Sequence, residues 1–168
     1  MAGEIYIGSL GTVKTIRDTG GDSDLTFGSL GVAALQVGVK LDLGDWPRTR
    51  TYRWSCGAQW NTAPSANRSL DLYYSGWDNE ASGGSIDIAL VGATNSSITA
   101  TKRYNMAYLG SIRIESSAVG PFVGGGLVDI PYRYISVAAF NDGSTVLATA
   151  ATYASVLRLT PVIEQIQS

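Results

Sequence analysis

Apolar residues alternate with polar or small ones along most of this chain, and a period of two is the signature of strands. The clearest run is Leu35 to Leu43: Leu35, Val37, Val39, Leu41 and Leu43 alternate with Gln36, Gly38, Lys40 and Asp42, which predicts one strand with an apolar and a wet face. Tyr52, Trp54, Cys56, Ala58 and Trp60 share a face in the next segment, opposite Thr51, Arg53, Ser55 and Gln59, and read as a central core strand. Leu70, Leu72 and Tyr74 alternate with Asp71, Tyr73 and Ser75, and Ile86, Ile88 and Leu90 with Asp87 and Ala89. Tyr104, Met106, Tyr108, Ile112 and Ile114 are set against Asn105, Ser111, Arg113 and Glu115. Three further strands are predicted over Phe122 to Val128, Tyr132 to Phe140 and Tyr153 to Leu159, with weaker ones at Ile5 to Ile7, Val13 to Ile16 and Leu25 to Phe27.

Turn signals separate these runs, and no amphipathic pattern of three helical turns interrupts them. Consecutive strands without helical crossovers pair antiparallel, and their apolar faces are covered when two sheets pack together. The expectation is therefore an all-β, antiparallel, jelly-roll-like β-sandwich of about eight to ten strands. Residues 1–168 form one domain, with residues 1–30 as an arm or as peripheral strands.

Composition narrows the chemistry. Charged residues make up 15% of the chain, below the usual value of about 25%, so Ser, Thr, Asn and Gly must carry solubility. The net charge is −2 and the cations are scattered singly, which argues against nucleic acid as a partner. The chain has no histidine, which removes histidine-activated nucleophiles and the commonest metal ligand. Cys56 is the only cysteine and reads as a small buried hydrophobe. Neither a signal peptide nor a run of about eighteen apolar residues is present, so no membrane span is expected.

Several short motifs admit a chemical reading. Asp18-Thr19-Gly20 matches the catalytic turn of aspartic proteases, where two such carboxylates share a proton, but Arg17 precedes it and a solvated turn is the better account. Asp18, Asp22 and Asp24 lack the spacing of a calcium loop. Gly124-Gly125-Gly126 lacks the Lys-Ser/Thr pair of a phosphate cradle and reads as a bend or bulge in a strand. Asn67-Arg68-Ser69 and Asn95-Ser96-Ser97 match the glycosylation sequon and are read as loops. Trp54 and Trp60 fall at core parity, whereas Trp46 and Trp77 fall in loops, free to contact a protein or the apolar face of a sugar.

Four stretches in the last hundred or so residues stand out together: Leu70-Asp71-Leu72-Tyr73-Tyr74-Ser75-Gly76-Trp77, Tyr108-Leu109-Gly110-Ser111-Ile112, Pro131-Tyr132-Arg133-Tyr134-Ile135-Ser136-Val137 with Asn141-Asp142-Gly143, and Leu159-Thr160-Pro161-Val162-Ile163-Glu164-Gln165. In these stretches the chain resembles the small virion proteins of tailed bacteriophages that decorate or cement the capsid. The resemblance implies a jelly-roll-like sandwich without catalysis or cofactor, made in the host cytoplasm and bound to the capsid surface of the virion. The implied partners are the major capsid protein and copies of the chain itself, as a trimer. Interface candidates are the apolar chain ends, Ile5, Tyr6 and Ile7 and Val162, Ile163 and Ile166, together with Trp46 and Trp77. The alternatives are a carbohydrate-recognising tail or fibre module and, more remotely, a dimeric aspartic protease.

Overall fold

Strands form where the period of two allows one side of each to be buried, and in the computed structural model eleven strands among the described residues make two facing sheets. The structure describes residues 12–45, 49–78, 96–115, 118–149 and 155–162. In chain order the strands are β1 Lys14–Arg17, β2 Ser23–Asp24, β3 Leu35–Val37, β4 Leu41–Asp42, β5 Thr51–Ala58, β6 Arg68–Trp77, β7 Ser96–Ile98, β8 Ala107–Ile114, β9 Phe122–Asp129, β10 Tyr134–Asn141 and β11 Val156–Pro161. One sheet has the order β2-β1-β11-β5-β9; the other runs β7-β3-β10-β6-β8, with β4 also on β10. The chain alternates between the sheets from β4 to β6 and again from β8 to β11, which makes the sandwich jelly-roll-like. Every pairing is antiparallel except the two-residue contact of β1 with β2. The predicted strands at Ile5 to Ile7 and Ile86 to Leu90 lie outside the described residues, and no helix among those described is long and apolar enough to cross a membrane.

The core between the sheets is built from the residues whose parity marked them as apolar. Tyr52, Trp54, Cys56 and Ala58 of β5 meet Leu70, Leu72 and Tyr74 of β6, Ile135, Val137 and Ala139 of β10, and Leu157 and Leu159 of β11. Residues 12–30 are packed into this body: Ile16, Leu25 and Phe27 are fully buried. Leu25 to Phe27 forms no strand, however; the Asp18 carboxylate accepts the Phe27 and Gly28 amides at 2.7 and 3.3 Å and fixes this stretch as a loop.

Trp54 determines how the sheets close at one side. Its indole lies against Gly110 of β8 and Gly124 and Gly126 of β9, where a methyl group on Gly126 would come within 2.9 Å of the indole nitrogen and one on Gly124 within 3.2 Å of the ring. Gly124-Gly125-Gly126 is therefore neither a bend nor a bulge: β9 pairs with β5 without a break from Thr51 opposite Asp129 to Ala58 opposite Phe122. The two inward glycines clear the space that the indole fills.

Two predicted strands change face part-way. Val37 lies opposite Ala138 but Leu41 lies opposite Ile135, so four steps along the Leu35 to Leu43 segment match three along β10. The extra residue, in the stretch Gly38 to Lys40, inverts the parity. Leu41 and Leu43 consequently enter the main core, whereas Leu35 and Val37 join Ala138 and Phe140 in a smaller cluster on the outer face of the sheet. The same happens in β8, where Gly110 faces Leu72 but Tyr108 faces Tyr73. The expected strand from Tyr104 is shortened too, because Ala100–Asn105 winds into a 3-10 helix. That helix and β7 cover the outer cluster, with Ile98, Ala100 and Met106 packed on it, so all eight residues of β10 are buried.

Gly110→Ala is expected to cost about 1–3 kcal/mol in urea denaturation, because the new methyl group meets the indole. In a Trp54→Leu background most of that penalty should vanish; an equal penalty in both backgrounds would dissociate Gly110 from Trp54. Cys56 is buried, and burial pushes its thiol up to about 12. The folded protein at about pH 8 should leave a thiol reagent untouched until urea unfolds it.

Candidate functional site

The outer face of the β6–β10 sheet carries the side chains that the inward parity excludes. Asp71, Tyr73, Ser75 and Trp77 project from β6 beside Phe140, Ala138, Ser136 and Tyr134 of β10. The result is a strip with aromatic rings at both ends.

At one end, the bulge in β8 turns Tyr108 outward onto Tyr73, and the two rings meet edge-on with centroids 5.6 Å apart. The 3-10 helix sets Arg103 above the strip. Its guanidinium carbon lies 4.0 Å from the Phe140 ring centroid and 4.7 Å from that of Tyr104. Arg103 donates to the Ala100 carbonyl at 2.9 Å and to the Tyr104 hydroxyl at 3.1 Å, so its head is held against the aromatic surface. Tyr104 and Tyr108 remain 74% and 56% exposed, although aromatic side chains normally bury most of their area. Burial pushes the Asp71 carboxyl above its usual range and the nearby Asp142 adds to the rise; burial likewise raises the Tyr73 hydroxyl. A partly desolvated carboxylate beside edge-on tyrosines and a hydrogen-bonded arginine offers polar groups around apolar rings, the mixture found at the centres of protein interfaces.

The other end is closed. Trp77 was expected in a loop, free to contact a ligand; instead it is the last residue of β6, buried and stacked on Tyr134 at 6.5 Å. Its strand partner explains the difference, because β10 extends to Tyr134 and pairs it with Trp77. Lys40 and Arg133 lie 5.1 and 4.8 Å from the Tyr134 ring, and Arg133 forms a two-pronged pair with Asp42 at 3.1 and 3.0 Å and a further pair with Asp45. This cluster reads as a structural clamp over the ring pair.

Of the other candidates, Val162 is half-buried and tied to the start of β5: its amide donates to Thr51 at 3.0 Å and its carbonyl accepts from the Thr49 hydroxyl at 2.7 Å. Ile5, Tyr6, Ile7, Trp46, Ile163 and Ile166 lie outside the described residues. Asp18 is engaged in closing its loop, and Asp22 accepts the Thr15 amide at 2.7 Å. Among the described residues no three potential metal-ligating side chains gather. Asn67 sits in a left-handed turn with φ of 63°, and Arg68 and Ser69 already belong to β6.

Tyr104, Tyr108 and Arg103 escaped the sequence reading because an unbroken period of two assigned the tyrosines to the core. The available signal was Gly110, a glycine inside an alternating run, which marks a bulge or a close approach. No family model matches the chain, and no curated protein or solved structure does so either.

The Asp42 carboxyl is held below its usual value of 3.8 chiefly by its bond to Arg133, with burial opposing and the Gly44 amide assisting. Such a group stabilises the fold above the unfolded pKa, and that contribution is lost as pH falls through the lower, folded value. Asp42→Asn should therefore unfold at lower urea than the parent at pH 7, and the two should converge towards about pH 2. A gap independent of pH would assign Asp42 a role other than its charge.

Proposed function

We propose that this chain is a non-catalytic docking protein that binds another protein through the Tyr104, Tyr108 and Arg103 surface. Within that class, we propose the decoration of a bacteriophage capsid, the role implied by the resemblance in the last hundred or so residues. The observation that carries the docking reading is the pair of exposed tyrosine rings, Tyr104 on the 3-10 helix and Tyr108 on β8, beside an arginine whose head is already tied down by hydrogen bonds. Tyrosine and arginine are the residues most often responsible for binding energy at interfaces, and little conformational freedom remains here to be lost on association. A decoration protein binds the assembled shell and not the free subunit, so it stabilises assembly by mass action, and many weak contacts add through multivalency.

The test is saturable co-sedimentation with undecorated capsids assembled from the major capsid protein of the same genome. Tyr104→Ala and Tyr108→Ala together should weaken binding by tenfold or more, a loss of roughly 1.4 kcal/mol or greater, whereas Arg158→Ala on the opposite sheet should leave it unchanged. Absence of binding at micromolar protein, or binding indifferent to the tyrosines, would overturn the proposal. Glycan-array binding that depends on the same tyrosines, without capsid binding, would put the carbohydrate reading in its place.

A further inference from the structure

An outermost strand presents a row of unpaired N–H and C=O groups, and stable proteins shield such edges by shortness, charge, proline or a bulge. Among the described strands, three of the four that end the sheet orders are shielded in this way. β2 is two residues long and ends in Asp24, β7 is three residues long, and β8 contains a bulge and Arg113. β9 is the exception. It is eight residues long, pairs in unbroken register with β5 alone among the described strands, and carries no charge before Asp129, its last residue.

The side chains of β9 point to what covers it. Gly124 and Gly126 face inward to make room for Trp54, so only Phe122 and Val128 extend from the inner side, and both are half-buried. On the outer side Val123 and Leu127 are 78% and 67% exposed, with Gly125 between them. Their neighbours on β5, Gly57 and Arg53, leave both side chains in solvent. The strand therefore reads alike from either end: Phe122 mirrors Val128, Val123 mirrors Leu127 and Gly124 mirrors Gly126 about Gly125.

We propose that β9 pairs antiparallel with β9 of a second copy of this chain, across a two-fold axis at Gly125. Two five-stranded sheets then become one continuous sheet. In this register Val123 lies opposite Leu127 of the second copy, Leu127 opposite its Val123, and the two Gly125 residues face each other. A closed interface of this kind uses the same patch on both subunits, and the strand's mirror pattern satisfies that requirement. Main-chain hydrogen bonds supply the attraction, and the cross-strand Val–Leu pairs select the register. A shift by two residues would set Val123 or Leu127 against Gly125 and forfeit both of these contacts. The interface is separate from the tyrosine surface on the other sheet and does not depend on its function.

Sedimentation equilibrium of the full chain at tens of micromolar should show a dimer; a monomer or a trimer would overturn the proposal. Val123→Lys with Leu127→Lys places lysine opposite lysine in both pairs and should weaken the dimer at least tenfold. Val123→Lys with Leu127→Glu places lysine opposite glutamate and should restore dimerisation in a salt-sensitive form. A dimer indifferent to the double lysine variant, or no better formed with the lysine–glutamate variant, would rule out this register. Should a variant fail to fold, amide exchange on the parent decides: exchange across 122–129 should slow as protein concentration rises, and concentration-independent exchange would reject the pairing.

Discussion

The sandwich closes around one indole. Trp54 projects from β5 into the gap between the sheets and takes the volume that side chains at Gly110, Gly124 and Gly126 would need. Two strands from different sheets must therefore be glycine at these points, and the ring in turn fills the space left by their missing side chains. Close packing makes this an all-or-none arrangement: the ring without the glycines clashes, and the glycines without the ring leave a void. Trp60 plays a different part near the Asn141 turn. Its indole donates to the fully buried Asn141 side chain at 3.3 Å and meets Phe122 edge-on at 5.6 Å. Asn141 also accepts the Gly143 amide at 2.9 Å and donates to the Leu30 and Thr145 carbonyls at 3.0 Å, so a polar group at zero exposure retains its hydrogen bonds.

The dependence on Trp54 accounts for what was legible in the sequence and what was not. Segments whose alternation is uninterrupted, such as β5 and β6 up to Tyr74, lie where the period of two places them, because burial of one face is a local property of the pattern. The errors arise where the partner strand decides. Gly38 and Gly110 each stand near an extra residue, and past it every side chain changes face. Both glycines were visible as interruptions, but the inserted residue can be counted only against the opposing strand. Trp77 illustrates the same limit. The polar residues after it suggested a loop, and only the length of β10 shows that pairing continues to that point.

The candidate surface was illegible for a related reason. Tyr104 and Tyr108 have the spacing of core residues, and their exposure results from a 3-10 turn and a bulge that no alternation reveals. Phe140 and Tyr73 are half of the explanation, since they supply an outer cluster against which Arg103 packs. A sheet with an apolar cluster on its outer face has two cores, and the second is thin enough that its rim stays wet. Rings at such a rim are available to a partner without unfolding anything beneath them.

Sheet geometry connects this surface to the bare edge of β9. The outer face of the β5–β11 sheet carries Arg53 and Arg158 beside the exposed Val123 and Leu127 of β9, so stacking two such faces would desolvate these cations. Edge-to-edge pairing avoids that contact. It also has an orientational consequence, because a two-fold axis perpendicular to a sheet leaves both copies facing the same way. The two tyrosine surfaces of such a pair would point in one direction, side by side. Presented to a surface with repeating subunits, the second contact becomes intramolecular once the first has formed, and a shallow aromatic patch of modest affinity is then sufficient for durable attachment.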